Sequence, residues 1–367
     1  MKMEKKREGW LDAVKTLAIF IVLLNHANVK LPGVNFWGGM FYVPVFFVLA
    51  GYTYHFQAGR YRDFIIKKAK RLLVPYFAAN LFLLLFFTAK ELLLDGRLVT
   101  VTTNSILGIF YARNQLFCMA DKSLMIGQPP CGDDNIYFMN LLNAPTWFLP
   151  ALFLSLVLFD GLMRLVKKEQ KKLGLFVAVL FGGMVIYHYL SPYLLPWSLD
   201  AVPFFVALIQ IGYAAKESRL LEKMIEQKKH RLMWLVFFVL FIGMALFNGS
   251  VNLSIGEYGK FMAAGLFNAG VSSLAVMAAC YGLEHGFSKC FLPGWLAGPG
   301  RYTLTMLCYH LFVFLFPGSA ITILCNMLGV SSNVYITGTL KLVMVFFTIA
   351  LFTMLEKGID SFKKRKH

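Results

Sequence analysis

The sequence has few charged residues, and few of those are acidic. Charged residues make up 15% of its 367 residues, whereas soluble domains carry about 25%. Hydrophobic residues make up 58%, and the mean hydropathy is +0.63. Long apolar runs recur along the whole chain. This composition excludes an ordinary soluble protein and predicts an all-α, polytopic membrane protein.

The sequence also lacks the motifs of several familiar metal and catalytic sites. Its six cysteines form no Cys-x-x-Cys and no Cys/His metal spacing, so we expect no metal ion. There is no Gly-x-Ser-x-Gly elbow and no paired-histidine Asp-Gly motif, which excludes the soluble catalytic sites built on them. Cys118 and Cys131 share one long polar loop, where a disulfide can form if that loop is extracytoplasmic.

The basic excess follows a pattern that indicates membrane orientation. The formal net charge is +17, but the cations cluster in blocks separated by nearly uncharged connections. The blocks occupy residues 2–7, 60–71, 164–172, 216–231 and 363–366. Cytoplasmic loops of membrane proteins are enriched in Lys and Arg in this way. We therefore place these blocks in the cytoplasm and expect no nucleic-acid partner.

Ten apolar runs are long enough to be membrane spans. They lie at about 10–28, 38–56, 72–94, 145–166, 173–191, 199–215, 232–248, 260–283, 301–317 and 336–356. An even number of spans, with the basic blocks inside, puts both termini in the cytoplasm. The connection 95–144 is then a long extracytoplasmic loop, and residues 1–367 are expected to form a single membrane domain. The first run has no signal-peptide cleavage site, so we expect it to be a retained span.

Lys15 and His26 both lie in the first apolar run, eleven residues apart. At about 100° per residue they share one face of a helix and are separated by roughly 16 Å of rise. Ionisable groups inside a span cost about 2.5–3.5 kcal/mol each on insertion scales, which favours a polar cavity over lipid contact. Alternatively, Lys15 reaches the interface and pairs with Asp12, while His26 caps the far end of the helix.

A second polar pair follows the Gly-Pro-Gly segment that begins at Gly298. Thr303 and His310 are seven residues apart, so they lie on one helical face about 10 Å apart along the axis. His310 is deep within the ninth apolar run and needs a hydrogen-bond partner there. It is either a functional group or a buried neutral histidine bonded to a neighbouring helix.

Two more features lie at the edges of apolar runs. Lys67 and Arg71 are spaced i,i+4 just before the third run, and such a pair suits the phosphates of a nucleotide-type cofactor. Their alternative role is to orient that span. Trp147, at the outer start of the fourth run, is either an interfacial belt residue or a stacking surface for a sugar ring.

Taken together, these segments resemble the acyltransferase-3 family of integral-membrane acyltransferases, over essentially the whole chain. The matching residues, in chain order, are Asp12, Lys15, His26, Pro44, Phe46, Phe47, Gly51, Tyr52, Arg71, Pro75, Tyr76, Trp147, Phe148, Leu149, Gly300, Tyr309 and His310. Two positions depart from the family pattern. Lys15 stands where many members carry Arg, which removes a bidentate phosphate contact, and Thr303 replaces the usual Ser. Some members carry a fused extracytoplasmic esterase-like domain, for which we expect no counterpart here.

The resemblance implies an O-acyltransferase that moves an acyl group, with acetyl expected, from cytoplasmic acyl-CoA to a hydroxyl of a surface glycan. It implies a multi-pass protein of a bacterial inner (plasma) membrane, surrounded by membrane lipid. His26 would act as the base, because an imidazole titrates near working pH, with Lys15 and His310 supporting it. We expect the donor to be bound by Lys15, Lys67 and Arg71, and the substrate-binding set to comprise Asp12, Tyr76, Trp147 and Thr303.

Two other classes of protein stay open at this point. A transporter or flippase for a glycan or lipid-linked precursor would use the same ionisable groups as a proton relay. Such proteins show broken helix pairs and internal symmetry, neither of which stands out in the sequence. The third class is a membrane-embedded regulator without catalysis.

Overall fold

The computed structural model describes residues 8–29, 33–113, 115–116, 141–191, 193–285, 293–331 and 333–365. Regular structure in these ranges is helical, apart from one isolated bridge between Asn252 and Glu257. The all-α class predicted from the composition is therefore confirmed. Cys118, Cys131 and Cys290 lie outside the described residues, and with them the disulfide considered for the long loop.

The α-helices follow one another with short connections over most of the described chain. In order they are α1 (Gly9–His26), α2 (Val34–Gly39), α3 (Pro44–Tyr52), α4 (Tyr61–Leu94), α5 (Thr103–Tyr111), α6 (Phe148–Leu165), α7 (Gln170–Leu190), α8 (Val202–Glu217), α9 (Leu220–Glu226), α10 (Lys228–Asn248), α11 (Met262–His285), α12 (Gly294–Ala297), α13 (Thr303–Met327) and α14 (Val334–Arg365). Short 3₁₀ turns precede α6 and α13, at Ala144–Trp147 and Pro299–Arg301.

Eight of the described helices are long and apolar enough to cross a membrane. They lie at Gly9–His26, Tyr61–Leu94, Ala144–Leu165, Gln170–Leu190, Pro196–Glu217, Met262–His285, Thr303–Met327 and Val334–Lys363. Two shorter apolar helices, Phe36–Tyr52 and Trp234–Asn248, coincide with the second and seventh predicted spans. The protein is a polytopic helical membrane protein, whereas the count of ten spans and the cytoplasmic position of both termini stay predictions.

Several helices are longer than the apolar runs that predict them, among them α4, α13 and α14. α4 begins at Tyr61 and not near residue 72, because the Lys, Arg and Ala residues of the basic segment are good helix formers. Pro75 therefore lies inside α4, where its missing N–H leaves the carbonyl of Arg71 without the usual i→i−4 partner. α13 contains Pro317 and continues to Met327, well beyond the predicted end at residue 317.

The chain divides into two compact units. The first unit comprises Met1–Phe46, Glu217–Gly243 and Ala269–His367, and the second comprises Phe47–Lys216 and Met244–Asn268. The first therefore holds α1, α2, α9, α12, α13 and α14, and the second holds α4 to α7. α3, α8, α10 and α11 contribute residues to both.

In the first unit, α1 packs against α12, α13, α14 and the Pro299–Arg301 turn. The carboxylate of Glu284 accepts hydrogen bonds from the main-chain N–H groups of Gly9 and Trp10, at 3.2 and 2.5 Å, and so caps the start of α1 with a negative charge. Gly300 passes so close to α1 that a Cβ there would overlap the carbonyl oxygen of Asp12. The Gly-Pro-Gly segment is thus needed for close packing beside α1.

In the second unit, aromatic stacking and glycine contacts join α3 to α8. The ring of Phe47 stacks on that of Phe205, with centroids 4.2 Å apart. Gly51 lies against the main chain of Ile209, and Gly212 lies against the main chain of Val48. A Cβ on either glycine would overlap a carbonyl oxygen of the opposite helix, so the two backbones are in direct contact.

Candidate functional site

The first unit brings the two histidines singled out in the sequence into contact. The imidazole rings of His26 and His310 have centroids 5.2 Å apart and are tilted by 49°. His26 is the last residue of α1 and its side chain is exposed, whereas His310, on α13, is 0% exposed. An accessible imidazole therefore lies beside a completely buried one. The contact joins residues 284 positions apart in the chain, so no local sequence pattern contains it.

Hydrogen bonding fixes the tautomer of His310. Its Nδ1 lies 2.8 Å from the carbonyl oxygen of Met306 and 3.1 Å from that of Leu307. A carbonyl oxygen only accepts, so Nδ1 carries the hydrogen and donates it. In the neutral ring, Nε2 is then an acceptor, and this buried atom has no hydrogen-bond partner. A buried acceptor left open costs free energy, which makes Nε2 a candidate functional atom.

A second polar cluster in the first unit is centred on the buried carboxylate of Asp12. Lys15 Nζ lies 3.2 Å from Asp12 Oδ1, and Arg301 Nε lies 3.8 Å from Asp12 Oδ2. The Asp12 side chain is 3% exposed, compared with 30% for Lys15 and 54% for Arg301. One carboxylate thus holds two cations that are partly open to their surroundings.

The ion pair between Lys15 and Asp12 is the one expected from the alternative role of Lys15, in which it reaches the interface and pairs with Asp12. Asp12 and Lys15 are i,i+3 neighbours on α1, so helix geometry alone brings them together. Arg301 is an addition that the sequence reasoning missed. Its only sequence signal is its position directly after the Gly298–Gly300 segment, which turns the chain alongside α1.

Thr303 is the first residue of α13 and is partly buried. It lies two turns before His310 on the same helix, as its spacing predicts. Its neighbours attach α13 to α14. The hydroxyl of Tyr302 donates to Asp360 Oδ2 at 3.0 Å, and that of Thr305 donates to Glu356 Oε1 at 2.5 Å. These bonds hold the start of α13 in place beside α14.

Four of the predicted site residues lie in the second unit. Lys67 and Arg71 are exposed and one turn apart on α4. Tyr76 is 0% exposed, and its hydroxyl donates to the carbonyl oxygen of Ile109 at 2.5 Å. Trp147 is 8% exposed and packs with its indole 6.2 Å from the ring of Phe205. The first two are thus accessible, whereas Tyr76 and Trp147 are packed inside the unit.

A polar network that the sequence reasoning missed surrounds Asp160 on α6. Its carboxylate accepts from Tyr54 Oη at 2.5 Å and from Arg164 Nε at 2.7 Å. The remaining nitrogens of Arg164 donate to the carbonyl oxygens of Gly59 and Gln57, at 2.8 and 3.1 Å. The network joins α6 to the connection between α3 and α4. Asp160 and Arg164 are i,i+4 neighbours, a signal that the sequence contains, whereas Tyr54, Gln57 and Gly59 are distant from them in the sequence.

Among the residues that the structure describes, no group of three or more His, Cys, Asp or Glu side chains is placed to hold a metal ion. Cys280, Cys308 and Cys325 are buried. The absence of a metal ion stays a prediction.

The fold and these clusters define a helical membrane protein with buried ionisable groups on its spanning helices, which is the mark of a functional site. A model of the family described as an acyltransferase domain matches residues 8–355, and the chain therefore belongs to the acyltransferase-3 family. The protein is thus a multi-pass membrane acyltransferase. Neither a curated protein sequence nor a solved structure matches the chain.

Proposed function

We propose that this protein is an O-acyltransferase of a bacterial plasma membrane. It transfers an acyl group, with acetyl expected, from cytoplasmic acyl-CoA to a hydroxyl of a surface glycan. The observation that carries the proposal is the contact between the exposed His26 and the buried His310, whose Nε2 is an open acceptor. Family membership supports the acyl transfer itself.

His26 is the base in this proposal. It accepts the proton of the acceptor hydroxyl as that oxygen attacks the thioester carbonyl, and the proton then passes to the departing CoA sulfur. His310 has its Nδ1 hydrogen bound to the main chain, so its Nε2 can accept the N–H of His26 and orient that ring. The same pair serves a route through an acyl-imidazole on His26, in which the ring attacks the thioester first.

Lys15 acts at the other end of α1 in this proposal. The two residues are eleven positions apart, so roughly 16 Å of helix rise separates Lys15 from a carbonyl held at His26. An ammonium at that distance cannot donate to the oxyanion, because donors must lie about 3 Å from it. We therefore assign Lys15, with Asp12 beside it, to the phosphate end of the donor.

Lys67 and Arg71, on α4, are proposed as further donor contacts. Both are exposed and one turn apart, as phosphate contacts must be. Tyr76 and Trp147 are proposed to shape the acceptor site through their rings, since the hydroxyl of Tyr76 is already bound to Ile109. Thr303 is proposed to offer its hydroxyl to the substrate from the start of α13.

Two measurements test the proposal. Purified protein with acetyl-CoA and a hydroxyl acceptor should release free CoA thiol and give acceptor heavier by one acetyl group. In cells, mass spectrometry of surface glycans should show loss of one acyl group per modified sugar when the gene is deleted. Unchanged glycan masses together with no CoA release would overturn the proposal. A flippase would instead change the amount of glycan at the surface and not its mass.

A further inference from the structure

Arg113, in the second unit, is a buried cation with one unused donor. Its side chain is 0% exposed, and its Nη1 donates to the two carboxylate oxygens of Asp200 at 2.9 and 3.1 Å. Its Nε donates to Ser198 Oγ at 3.1 Å. Its Nη2 is buried and has no hydrogen-bond partner among the residues that the structure describes. A buried donor without an acceptor costs free energy, which a ligand that supplies the acceptor would recover.

Two buried side-chain amides of the same unit have an unused acceptor. Asn80, on α4, donates through Nδ2 to the carbonyl oxygen of Tyr76 at 2.8 Å and to Thr146 Oγ1 at 2.9 Å. Asn80 Oδ1 and Gln115 Oε1 are buried atoms without a partner in the described part of the chain. The two residues are 1% and 6% exposed, so bulk water does not supply the missing bonds.

One hydrogen bond joins the two segments that hold Asn80 and Arg113. The hydroxyl of Tyr76 donates to the main-chain carbonyl of Ile109 at 2.5 Å. Asn80 follows Tyr76 by one turn of α4, and Arg113 follows Ile109 by four residues. Gln115 comes two residues later. The open donor and the open acceptors therefore lie in the same region of the second unit.

Two indole rings belong to the same region. Trp147 directly follows the threonine that accepts a hydrogen bond from Asn80, and Trp197 directly precedes the serine that accepts one from Arg113. The ring of Trp197 lies 6.4 Å from that of Phe153, which is on the helix that begins right after Trp147. A few polar groups beside aromatic rings are typical of small-molecule sites.

The chemistry of the open atoms selects the class of ligand. The carboxylate of Asp200 already neutralises the guanidinium of Arg113, so an anion would gain little from its charge. An anion only accepts hydrogen bonds, and the open oxygens of Asn80 and Gln115 would repel it. A hydroxyl both donates and accepts. A sugar ring carries several hydroxyls and can therefore use the open donor and the open acceptors together, with its C–H groups against an indole.

We propose that Asn80, Arg113 and Gln115 form the subsite that binds the hydroxyls of the acceptor sugar, beside Trp147 and Trp197. Arg113 Nη2 donates to a sugar oxygen, while Asn80 Oδ1 and Gln115 Oε1 accept from sugar hydroxyls. Arg113 and Gln115 lie in the connection 95–144, which is predicted to be on the extracytoplasmic side, where a surface glycan is found. The subsite rests on the proposed function, because it takes a glycan as the acceptor.

Michaelis constants measured separately for the two substrates test this subsite. The acceptor is surface glycan from gene-deleted cells, and the donor is acetyl-CoA. Arg113→Lys keeps a charge beside Asp200 but removes Nη2, and it should raise KM for the glycan about 10- to 100-fold, as for a lost hydrogen bond to a charged group. Gln115→Met replaces the amide with an apolar chain of similar length and should raise that KM about 3- to 10-fold. KM for acetyl-CoA should stay at the wild-type value in both variants.

Arg97→Lys and Gln170→Met are the matched controls, since both residues are exposed and belong to the same unit. They should leave KM for the glycan unchanged. Gln115→Met decides the matter by itself if Arg113→Lys yields no folded protein.

A wild-type KM for the glycan in the folded variants would overturn the subsite. Equal rises in KM for both substrates would overturn it as well, because they would assign these residues to structure alone. If instead the wild-type protein transfers no acetyl group to the glycan and releases no CoA, the proposed function fails, and the subsite with it.

Discussion

Asp12 in the first unit and Asp160 in the second are both buried carboxylates beside a cation, at 3% and 0% exposure. Asp160 is held by short bonds of 2.5 and 2.7 Å from Tyr54 and Arg164, and Arg164 bonds two main-chain carbonyls as well. Asp12 is approached at 3.2 and 3.8 Å by two cations. The contacts around Asp160 are therefore shorter than the two ion-pair distances at Asp12.

The difference separates a structural network from a binding site. A buried network whose donors and acceptors are all used fixes neighbouring segments and offers nothing to a ligand. A network with an unused donor or acceptor can bind a ligand through that group. His310 follows the second pattern, because Nδ1 is bound to the main chain and Nε2 is open. This open acceptor lies in the first unit, on α13, in contact with the ring of His26 at the end of α1.

The largest expected effect is on catalysis, from His26→Ala. Loss of a positioned general base costs about 10²–10⁴-fold in turnover. Because the His26 side chain is exposed, the thermal unfolding midpoint should stay close to that of the wild type. The assay is CoA release from acetyl-CoA by purified protein. The control is His285→Ala, an exposed histidine of the same unit. Near-normal turnover of His26→Ala would show that His26 is not the base.

Asp160→Ala should have the opposite profile, with a loss of stability and little change in KM. It leaves the N–H of Arg164 and the hydroxyl of Tyr54 without their acceptor. We expect a destabilisation of about 3 kcal/mol, at the lower end for a broken buried pair because Arg164 is 23% exposed. Thermal unfolding of detergent-purified protein measures it, with the exposed Asp63→Ala as the control. An unchanged unfolding midpoint would show that Asp160 is not a structural residue and would contradict its contrast with Asp12.

Neutralising Lys67 and Arg71 together, as Lys67→Gln with Arg71→Gln, should raise KM for acetyl-CoA about 3- to 10-fold, because exposed ion pairs contribute up to about 1 kcal/mol each. Turnover should change less, since this binding energy is the same in ground and transition states. The defect should shrink as salt rises, because screening already weakens the wild-type contact. Lys171→Gln with Lys172→Gln removes the same charge elsewhere and should leave KM unchanged. Equal increases of KM in both double variants would show that the effect comes from general surface charge and not from Lys67 and Arg71.

Tyr54→Phe should destabilise the protein less than Asp160→Ala does, by about 1 kcal/mol, because it removes only the hydrogen bond to Asp160. Tyr54 is buried, so the variant leaves Asp160 with one fewer donor and no water to replace it. Thermal unfolding of detergent-purified protein measures the loss, and Tyr189→Phe, at an exposed tyrosine, is the control. Equal unfolding midpoints for Tyr54→Phe and wild type would contradict a stabilising bond to Asp160.

The sequence alone predicted the features that depend on composition or on residues close together in the chain. Apolar runs predicted the helices, and i,i+3 spacing predicted the pair between Asp12 and Lys15. It also placed Thr303 and His310 on one helix, although α13 extends much further than its apolar run. The charges of the basic segment before residue 72 predict a connection outside the third span. Its residues nevertheless favour helix, and α4 includes them.

Contacts between distant segments could not be predicted in the same way. The approach of His26 to His310, and of Arg301 to Asp12, depends on how α13 packs beside α1, which spacing within one helix does not encode. Arg113 lies in the connection 95–144, which is predicted to be an exposed outer loop, yet its side chain is completely buried and its Nη1 lies 2.9 Å from Asp200 Oδ1. A single charge in a loop carries no signal of the partner that it will meet.

The reciprocal contact of Gly51 and Gly212 sets a mechanical limit on the second unit. Each glycine rests on the other helix's main chain, so at these two points no side chain separates α3 from α8. A larger residue at either position could not be accommodated by a side-chain rotation, because the atom that it would meet belongs to the backbone. We therefore expect any helix movement during catalysis to keep this contact closed and to carry α3 and α8 together.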